Sequence, residues 1–396
     1  MTATFELRGA ESWRNPFDSY AELRATDPVH AVESTDYPTY WVLSRFDDVF
    51  AAVRDWETYS SAQGLTPDPH GMSLFEDGVL PIVMMDPPDH TEMRLLVNRP
   101  MTSHNVTSME QPITAFVDRL LDRIAGQAAA GVAVDIVESR FKPLPSWIVA
   151  HYLGVPEADR DRFDGWTDSI VAANAGGDVA AAGRGALDLF EFATELIEYR
   201  RTNPGEDLVS DLVGSGDERA SVQWILGLIF TMITGGNDTT TGLLGGSAEL
   251  LTTRRDERQI LLDDPTLIRP AVDEFLRLTS PVQNLARTTT RDVEVRGVGI
   301  ASGSKVMLAY ASANRDEREF GPSAGDLDVR RDFKRMLSLG YGPHLCLGAS
   351  IARLSGGIAL ERLLTRFPDF TVDADAGRFA PGPYVRRYES LPFSTG

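Results

Sequence analysis

The sequence predicts one mainly α-helical domain spanning residues 1–396, with a minor β region. Three observations point there. From about Thr91 to Glu257 apolar residues recur at helical spacing. Runs with strand composition are short and fall near the N-terminus and after Val282. No internal repeat and no low-complexity linker divides the chain. At 42% hydrophobic and 24% charged residues the composition is ordinary for a globular protein of this size, which can bury a large core.

Taken in order, Thr39-Tyr40-Trp41-Val42-Leu43 reads as a strand and Asp47–Arg54 as a helix. Ser61–Val83 is a long loop-like segment punctuated by Pro67, Pro69, Gly64, Gly71 and Gly78, with Leu65, Met72, Leu74, Phe75, Leu80 and Ile82 as its apolar members. A loop of that length in a compact protein is usually functional or disordered. An apolar helix opens near Ser221. Its most hydrophobic part, Trp224–Gly236, is too short to span a bilayer and reads as a buried helix. Asp264-Pro265 is an N-cap followed by a first-turn proline, and the helix it opens must end before Pro281. Thr288-Thr289-Thr290, Val293-Glu294-Val295 and Lys305–Leu308 read as strands, and Ala313–Pro343 as largely irregular. A last long helix runs from about Leu347 to Phe367. Short strands at Phe370-Thr371-Val372 and Leu391-Pro392-Phe393 follow it, joined by a turn with proline and glycine.

The formal charge is −20. Such a surface repels nucleic acid overall. Thirty-five of the 38 basic residues are arginine, the lysines being Lys142, Lys305 and Lys334. A single cysteine suggests a reducing, cytoplasmic setting. Met1–Asn15 is polar and carries acids, with no signal peptide or membrane anchor visible.

That cysteine, Cys346, carries the chemistry. It lies in Leu339-Gly340-Tyr341-Gly342-Pro343-His344-Leu345-Cys346-Leu347-Gly348-Ala349, a glycine-rich loop running into an amphipathic helix. Gly342 and Gly348 let the backbone approach a flat ligand closely. The positive end of the following helix and its free amides favour a thiolate. An inert core thiol is the ordinary reading of a lone cysteine. The spacing Gly-x-His-x-Cys-x-Gly favours the other one, an axial haem ligand.

Three further patterns are compatible with that chemistry. Gly235-Gly236-Asn237-Asp238-Thr239-Thr240 lies inside the apolar helix, where each glycine costs roughly 1 kcal/mol relative to alanine. The missing side chains make room for a large ligand, and Thr239 can bond back to the preceding turn and locally open the helix. Either Thr239 and Asp238 manage protons for O2 chemistry, or small residues pack helices and Asp238 is solvated. Glu274-Phe275-Leu276-Arg277 places an acid and a base on one helix face. The pair is either a surface ion pair of small value or, given its apolar flanks, a buried latch to the irregular segment before Cys346. Finally His90, Arg94, Arg287 and His344 are cations or hydrogen-bond donors suited to carboxylates, whether on a ligand or simply solvated.

Together these residues resemble the cytochrome P450 superfamily, specifically its bacterial members without a membrane anchor. The resemblance rests on Gly342-x-His344-x-Cys346-x-Gly348, Gly235-Gly236-x-Asp238-Thr239-Thr240, Glu274-x-x-Arg277, Asp89-His90 with Arg94, Arg287, and Ala313-Asn314-Arg315-Asp316, in the family's order from about residue 15 onward. It departs at Leu339, where the family carries phenylalanine. The resemblance implies the P450 fold, with haem b between the long central helix and the cysteine-loop helix. It implies Cys346 as iron ligand, with Gly348 and Gly235 flanking the haem. It implies His90, Arg94, Arg287 and His344 at the propionates, and Asp238 and Thr239 as proton-handling residues. The activity implied is insertion of one oxygen atom of O2 into a small molecule. Electrons would come from NAD(P)H through a separate ferredoxin and ferredoxin reductase, docking near Arg94, Arg99, Lys334, Arg335 and Arg353. By position the substrate would meet Leu74, Phe75, Leu80, Thr231, Thr234, Gln283, Asn284, Leu285 and Val385. This apolar lining suits a steroid, terpenoid, fatty acid or macrocycle, with Arg386 the one candidate for a fixed positive charge. A peroxide-driven haem-thiolate peroxygenase and a non-catalytic haem sensor are the alternatives.

Overall fold

The fold was analysed in a computed structural model that describes residues 5–35, 37–68, 80–98, 101, 103–166 and 179–396. Its axis is the central helix, Val222–Thr253, 32 residues long and therefore about 48 Å. Ser221 caps it by accepting the Trp224 N–H. The helix is apolar on nearly all sides, and Ile225, Leu228, Ile229, Ile233, Leu243, Leu244, Ala248 and Leu251 are buried along its length. It packs on the helix Pro143–Leu153, the latch helix Ile268–Thr279 and the C-terminal helix Ala349–Arg366. The C-terminal helix in turn packs on Glu110–Ala129. One core cluster draws Ile113, Val117, Leu144, Leu244, Phe275, Leu360 and Leu363 from these helices.

The latch helix starts as expected. Asp264 accepts the Thr266 N–H, Pro265–Leu267 forms a 3₁₀ turn, and helix follows to Thr279, two residues before Pro281. The final helix begins at Ala349, two residues later than expected, with Gly348 at its N-cap. The loop expected over Ser61–Val83 ends in a short 3₁₀ turn, Ile82–Met84, and Leu74 and Phe75 lie outside the described residues.

A five-stranded sheet forms a second layer in the order β1-β2-β8-β5-β3, from Val29–Val32, Tyr40–Leu43, Lys305–Leu308, Leu285–Thr289 and Tyr59–Ser60. β2 and β8 are parallel and the other pairs antiparallel. β5 begins three residues earlier than the threonine run suggests, so Leu285 and Arg287 lie on a strand. β4, Val134–Asp135, interrupts the stretch read as helical and pairs with the C-terminal β12, Pro392–Ser394, which also pairs with β9, Thr371–Val372. β6, Val293–Val295, and β7, Val298–Ile300, make one hairpin. β10, Arg378–Phe379, and β11, Tyr388–Ser390, make another between the two tail strands. No helix among the described residues is long and apolar enough to cross a membrane.

Candidate active site

The cysteine loop is shaped by two left-handed glycines, Gly340 (φ +68°) and Gly342 (φ +69°). A side chain at Gly342 would also stand 3.1 Å from the Val53 carbonyl. Within the loop the Cys346 N–H donates to the Leu339 carbonyl at 2.8 Å and the Ala349 N–H to the Cys346 carbonyl at 3.2 Å, which fixes the turn on both sides of the sulfur. Leu339 itself is buried in the large helical core. Cys346 is accessible, yet it sits deep among protein atoms, and this desolvation pushes its thiol up. The Gly348 N–H, donated to the sulfur, pulls the other way, as do Arg94 and Arg353. Burial outweighs them. The amides and helix end expected to make a thiolate are therefore insufficient alone, and a bound cation is what would keep this sulfur ionised.

Around the loop the structure gathers the four expected carboxylate partners. The His90 and His344 rings lie 4.3 Å apart, centroid to centroid. Arg94 donates to the Pro343 carbonyl at 3.2 Å. Burial, then Arg287, His90 and Arg94, push His344 down to about 3. Burial and then Arg94 lower His90 as well. Both imidazoles are thus neutral donors or acceptors at neutral pH, and the fixed positive charge rests on Arg94 and Arg287. Arg287, 6% exposed on β5, donates to the Ala286 carbonyl at 2.8 Å. The buried Nδ1 of His90 has no hydrogen-bond partner among the described residues. His344 Nε2 meets the Ser61 hydroxyl at 3.2 Å, and Asp86 holds that turn by accepting from the Ser61 N–H and the Ser60 hydroxyl. Ser60, Ser61 and Asp86 were missed by the sequence reading, because no local motif announces a serine that meets a histidine of a distant loop.

On the central helix, Gly235 is exposed and a Cβ there would meet nothing within 4 Å, whereas one at Gly236 would lie 3.1 Å from Val149 Cγ2. The two glycines therefore serve different ends, the first facing open space and the second packing on a neighbouring helix. Thr239 donates to the Gly235 carbonyl at 2.7 Å, and Thr231 and Thr234 make the same bond one turn back. The helix is nonetheless continuous through this region. Asp238 is not solvated. It pairs with Arg387 at 2.5 Å, and both side chains are mostly buried.

Glu274 and Arg277 form the buried alternative. Two 2.7 Å bonds join their side chains, at 1% and 0% exposure. Arg277 also donates to the Asn314 and Ala324 carbonyls, and Glu274 accepts from Arg331 and the Asp328 N–H. The pair ties the latch helix to the irregular segment leading to Cys346.

Of the expected substrate contacts, Leu80, Thr231, Thr234, Leu285 and Val385 are half-buried, while Gln283 and Asn284 are fully buried. The Gln283 amide is committed to the Thr279 and Ser280 carbonyls and to Tyr20. Arg386 is bound to the Trp13 carbonyl and faces Glu249. Of the basic patch, Arg335 is held by Glu319 and Arg353 by Asp273, Lys334 is exposed, and Arg99 lies outside the described residues.

Among the described residues no cluster of three or more His, Cys, Asp or Glu could hold a bare metal ion. An accessible sulfur, an orphaned buried imidazole nitrogen, two arginines and a glycine facing open space fit instead a flat, anionic prosthetic group that brings its own metal donors. The family model for cytochrome P450 matches residues 248–377. The chain is 49% identical to cytochrome P450 130 of Mycobacterium tuberculosis over 99% of this chain and 98% of that one. The chain belongs to the cytochrome P450 family. It is a P450 monooxygenase, and the fold just described is the P450 fold. It is also 35% identical to the vitamin D(3) 25-hydroxylase of Pseudonocardia autotrophica, over 100% of this chain and 97% of that one. Among solved structures, the P450 PksS of the Bacillus subtilis 168 bacillaene polyketide synthase superposes with a TM-score of 0.89 at 30% identity, covering 99% of this chain and all of that one.

Proposed function

We propose that this monooxygenase hydroxylates a lipophilic small molecule of the steroid, terpenoid, fatty-acid or macrocycle class. It would use haem b held by Cys346 and electrons from NAD(P)H through a separate ferredoxin and ferredoxin reductase. The carrying observation is the placement of the Cys346 sulfur, with the Gly348 amide donated to it, beside the His90, Arg94, Arg287 and His344 cluster. Bound haem supplies iron-centred activation of O2, in which two electrons and two protons send one oxygen atom into a substrate C–H bond and the other into water.

The chain's own residues supply the rest. Arg94 and Arg287 bring fixed charge to the haem carboxylates, and His90 and His344 bring hydrogen bonds. A carboxylate beside either histidine would raise it toward its ordinary range. The Thr239 hydroxyl spends its proton on the Gly235 carbonyl, so it offers lone pairs to an incoming donor. Asp238, one residue before, is the acid placed to carry protons from outside. Thr231 and Thr234 spend their protons in the same way, so toward a ligand each presents a methyl and an acceptor. With Gln283 and Arg386 committed elsewhere, the lining is Leu80, Thr231, Thr234, Gly235, Leu285 and Val385. This favours an apolar ligand over a small carboxylate, in keeping with relatives named for vitamin D(3) hydroxylation and polyketide biosynthesis. Redox partners are general in this family, and a cytoplasmic setting suits a chain with one cysteine.

The test is the difference spectrum of reduced protein with and without carbon monoxide. The wild type should give the strongly red-shifted Soret band of thiolate-ligated haem, and Cys346→Ser should lose it. A panel of steroid, terpenoid, fatty-acid and macrolactone probes should then shift the haem spin state. Silence from the whole panel would overturn the substrate class, and turnover with hydrogen peroxide but none with ferredoxin, reductase and NAD(P)H would make the enzyme a peroxygenase.

A further inference from the structure

The Asp238 carboxylate is held by a residue from the far end of the chain. Its Oδ1 lies 2.5 Å from Arg387 Nε, with the two side chains 13% and 12% exposed. Arg387 lies just before β11, in the segment 384–387, whose backbone is fixed on several sides. The Gln283 N–H donates to the Tyr384 carbonyl and the Arg386 N–H to the Pro281 carbonyl, each at 2.8 Å, and Val385 bridges Val282. Alternate residues of an extended chain point to opposite sides. Arg386 turns one way, to the Trp13 carbonyl at 2.8 Å, and Arg387 the other.

The segment reaches the central helix because Gly242 has no side chain. A Cβ there would stand 2.7 Å from the Arg386 carbonyl oxygen, 3.0 Å from Pro281 Cβ and 3.5 Å from Arg387 Cβ. The first contact is with backbone, which cannot swing aside as a flexible side-chain end can. Gly242 lies one helical turn after Asp238, on the same face. The close approach it permits therefore delivers the guanidinium to the acid.

We propose that Arg387 is the positioning residue for proton delivery by Asp238, and that Gly242 is what seats it. The proposal rests on the reading of Asp238 as the proton-carrying acid. A carboxylate paired with a mostly buried guanidinium keeps one orientation. To pass a proton, Asp238 takes one from solvent and releases one inward, ending as the carboxylate it began as, and Arg387 re-forms the pair and resets the geometry. Without the guanidinium the carboxylate loses the ion pair that sets its starting position, and a larger share of oxygen reduction ends in released peroxide instead of water.

The experiment uses substrate-free holoenzyme with spinach ferredoxin and its reductase, reading the fraction of NADPH equivalents released as hydrogen peroxide. Asp238→Asn, Arg387→Gln, Arg387→Lys, Gly242→Ala and the Asp238→Asn/Arg387→Gln double variant are compared. Arg387→Gln and Gly242→Ala should raise the peroxide fraction several-fold, Arg387→Lys should recover most of the wild-type value, and the double variant should be no worse than Asp238→Asn alone. Thermal unfolding of the wild type, the Asp238→Asn and Arg387→Gln single variants and their double variant supplies a second readout, in which shifts of midpoint should be non-additive. An unchanged fraction in Arg387→Gln, or additive effects in the double variant, overturns the positioning role while leaving Asp238 as the acid. An unchanged fraction in Asp238→Asn overturns the reading of Asp238 itself, whatever the unfolding cycle records.

Discussion

Gly235 and Gly236 are adjacent and chemically identical, and only their surroundings separate them. At Gly235 a methyl meets nothing, so Gly235→Ala should raise the unfolding free energy of the haem-free protein by up to about 1 kcal/mol through helix propensity, while weakening ligand binding in a spin-shift titration. At Gly236 the same methyl presses on Val149 at 3.1 Å, which should cancel part of that gain. Equal stabilisation at both positions would show that Gly236 does not pack closely. Thr239 makes a complementary case. Thr239→Ala removes the hydroxyl that offers lone pairs to an incoming donor beside Asp238, so NAD(P)H consumption should persist while product per NAD(P)H falls, as measured by oxygen and peroxide stoichiometry. Much of this was legible residue by residue, since Cys346, Asp238, Thr239 and the double glycine announce themselves by being out of place in their local setting. Arg387 and Ser61 do not. Their partners lie far away in the chain, and no spacing rule reaches that far.

At the scale of elements, the long helices were legible because each buries a stripe that repeats every turn, and their ends carry local chemistry at Ser221 and Asp264. Two of the shortest strands were not. β3 and β4 have two residues each, and they are strands only because β5 and β12 lie beside them. Nor does sequence decide whether a Glu–Arg pair three residues apart is exposed, because both outcomes share one spacing. Here the flanks close over it, and the latch joins Ile268–Thr279 to residues 314–331 through Arg277 bonds to two main-chain carbonyls and an Arg331 bond to the Glu274 carboxylate. Removing one partner leaves an uncompensated buried charge. Glu274→Gln should therefore cost about 3–5 kcal/mol in denaturant unfolding, far more than an exposed pair would. A loss below about 1 kcal/mol would mean that the Asn314 and Ala324 carbonyls and the new amide satisfy Arg277 without the acid. Because the same segment leads to Cys346, haem retention should fall together with stability.

At the scale of the whole molecule, the charge of −20 sets a long-range field that the loop around Cys346 must offset if an acidic electron donor is to dock there. The arginines expected to do this are largely spent. Arg335 is held by Glu319 in two 2.8 Å bonds, Arg353 by Asp273 at 2.6 Å, and Arg94 is half-buried against Pro343, which leaves Lys334 as an exposed cation. Their pairing with the chain's own acids weakens the local attraction more than composition near the cysteine suggests, and distant like-charge repulsion then governs the encounter. Between exposed charges that repulsion is screened within about 10 Å at 0.1 M salt. The second-order rate of reduction by an acidic ferredoxin should therefore rise as salt is added from low ionic strength, where a basic docking patch would make it fall steeply. Asp273→Asn, which frees Arg353, should reverse part of that trend by giving the cysteine face back one positive charge. Stopped-flow reduction over a salt series, for the wild type and this variant, checks both signs. A steep fall already present in the wild type would mean that Arg335 and Arg353 leave their acids for the donor on encounter.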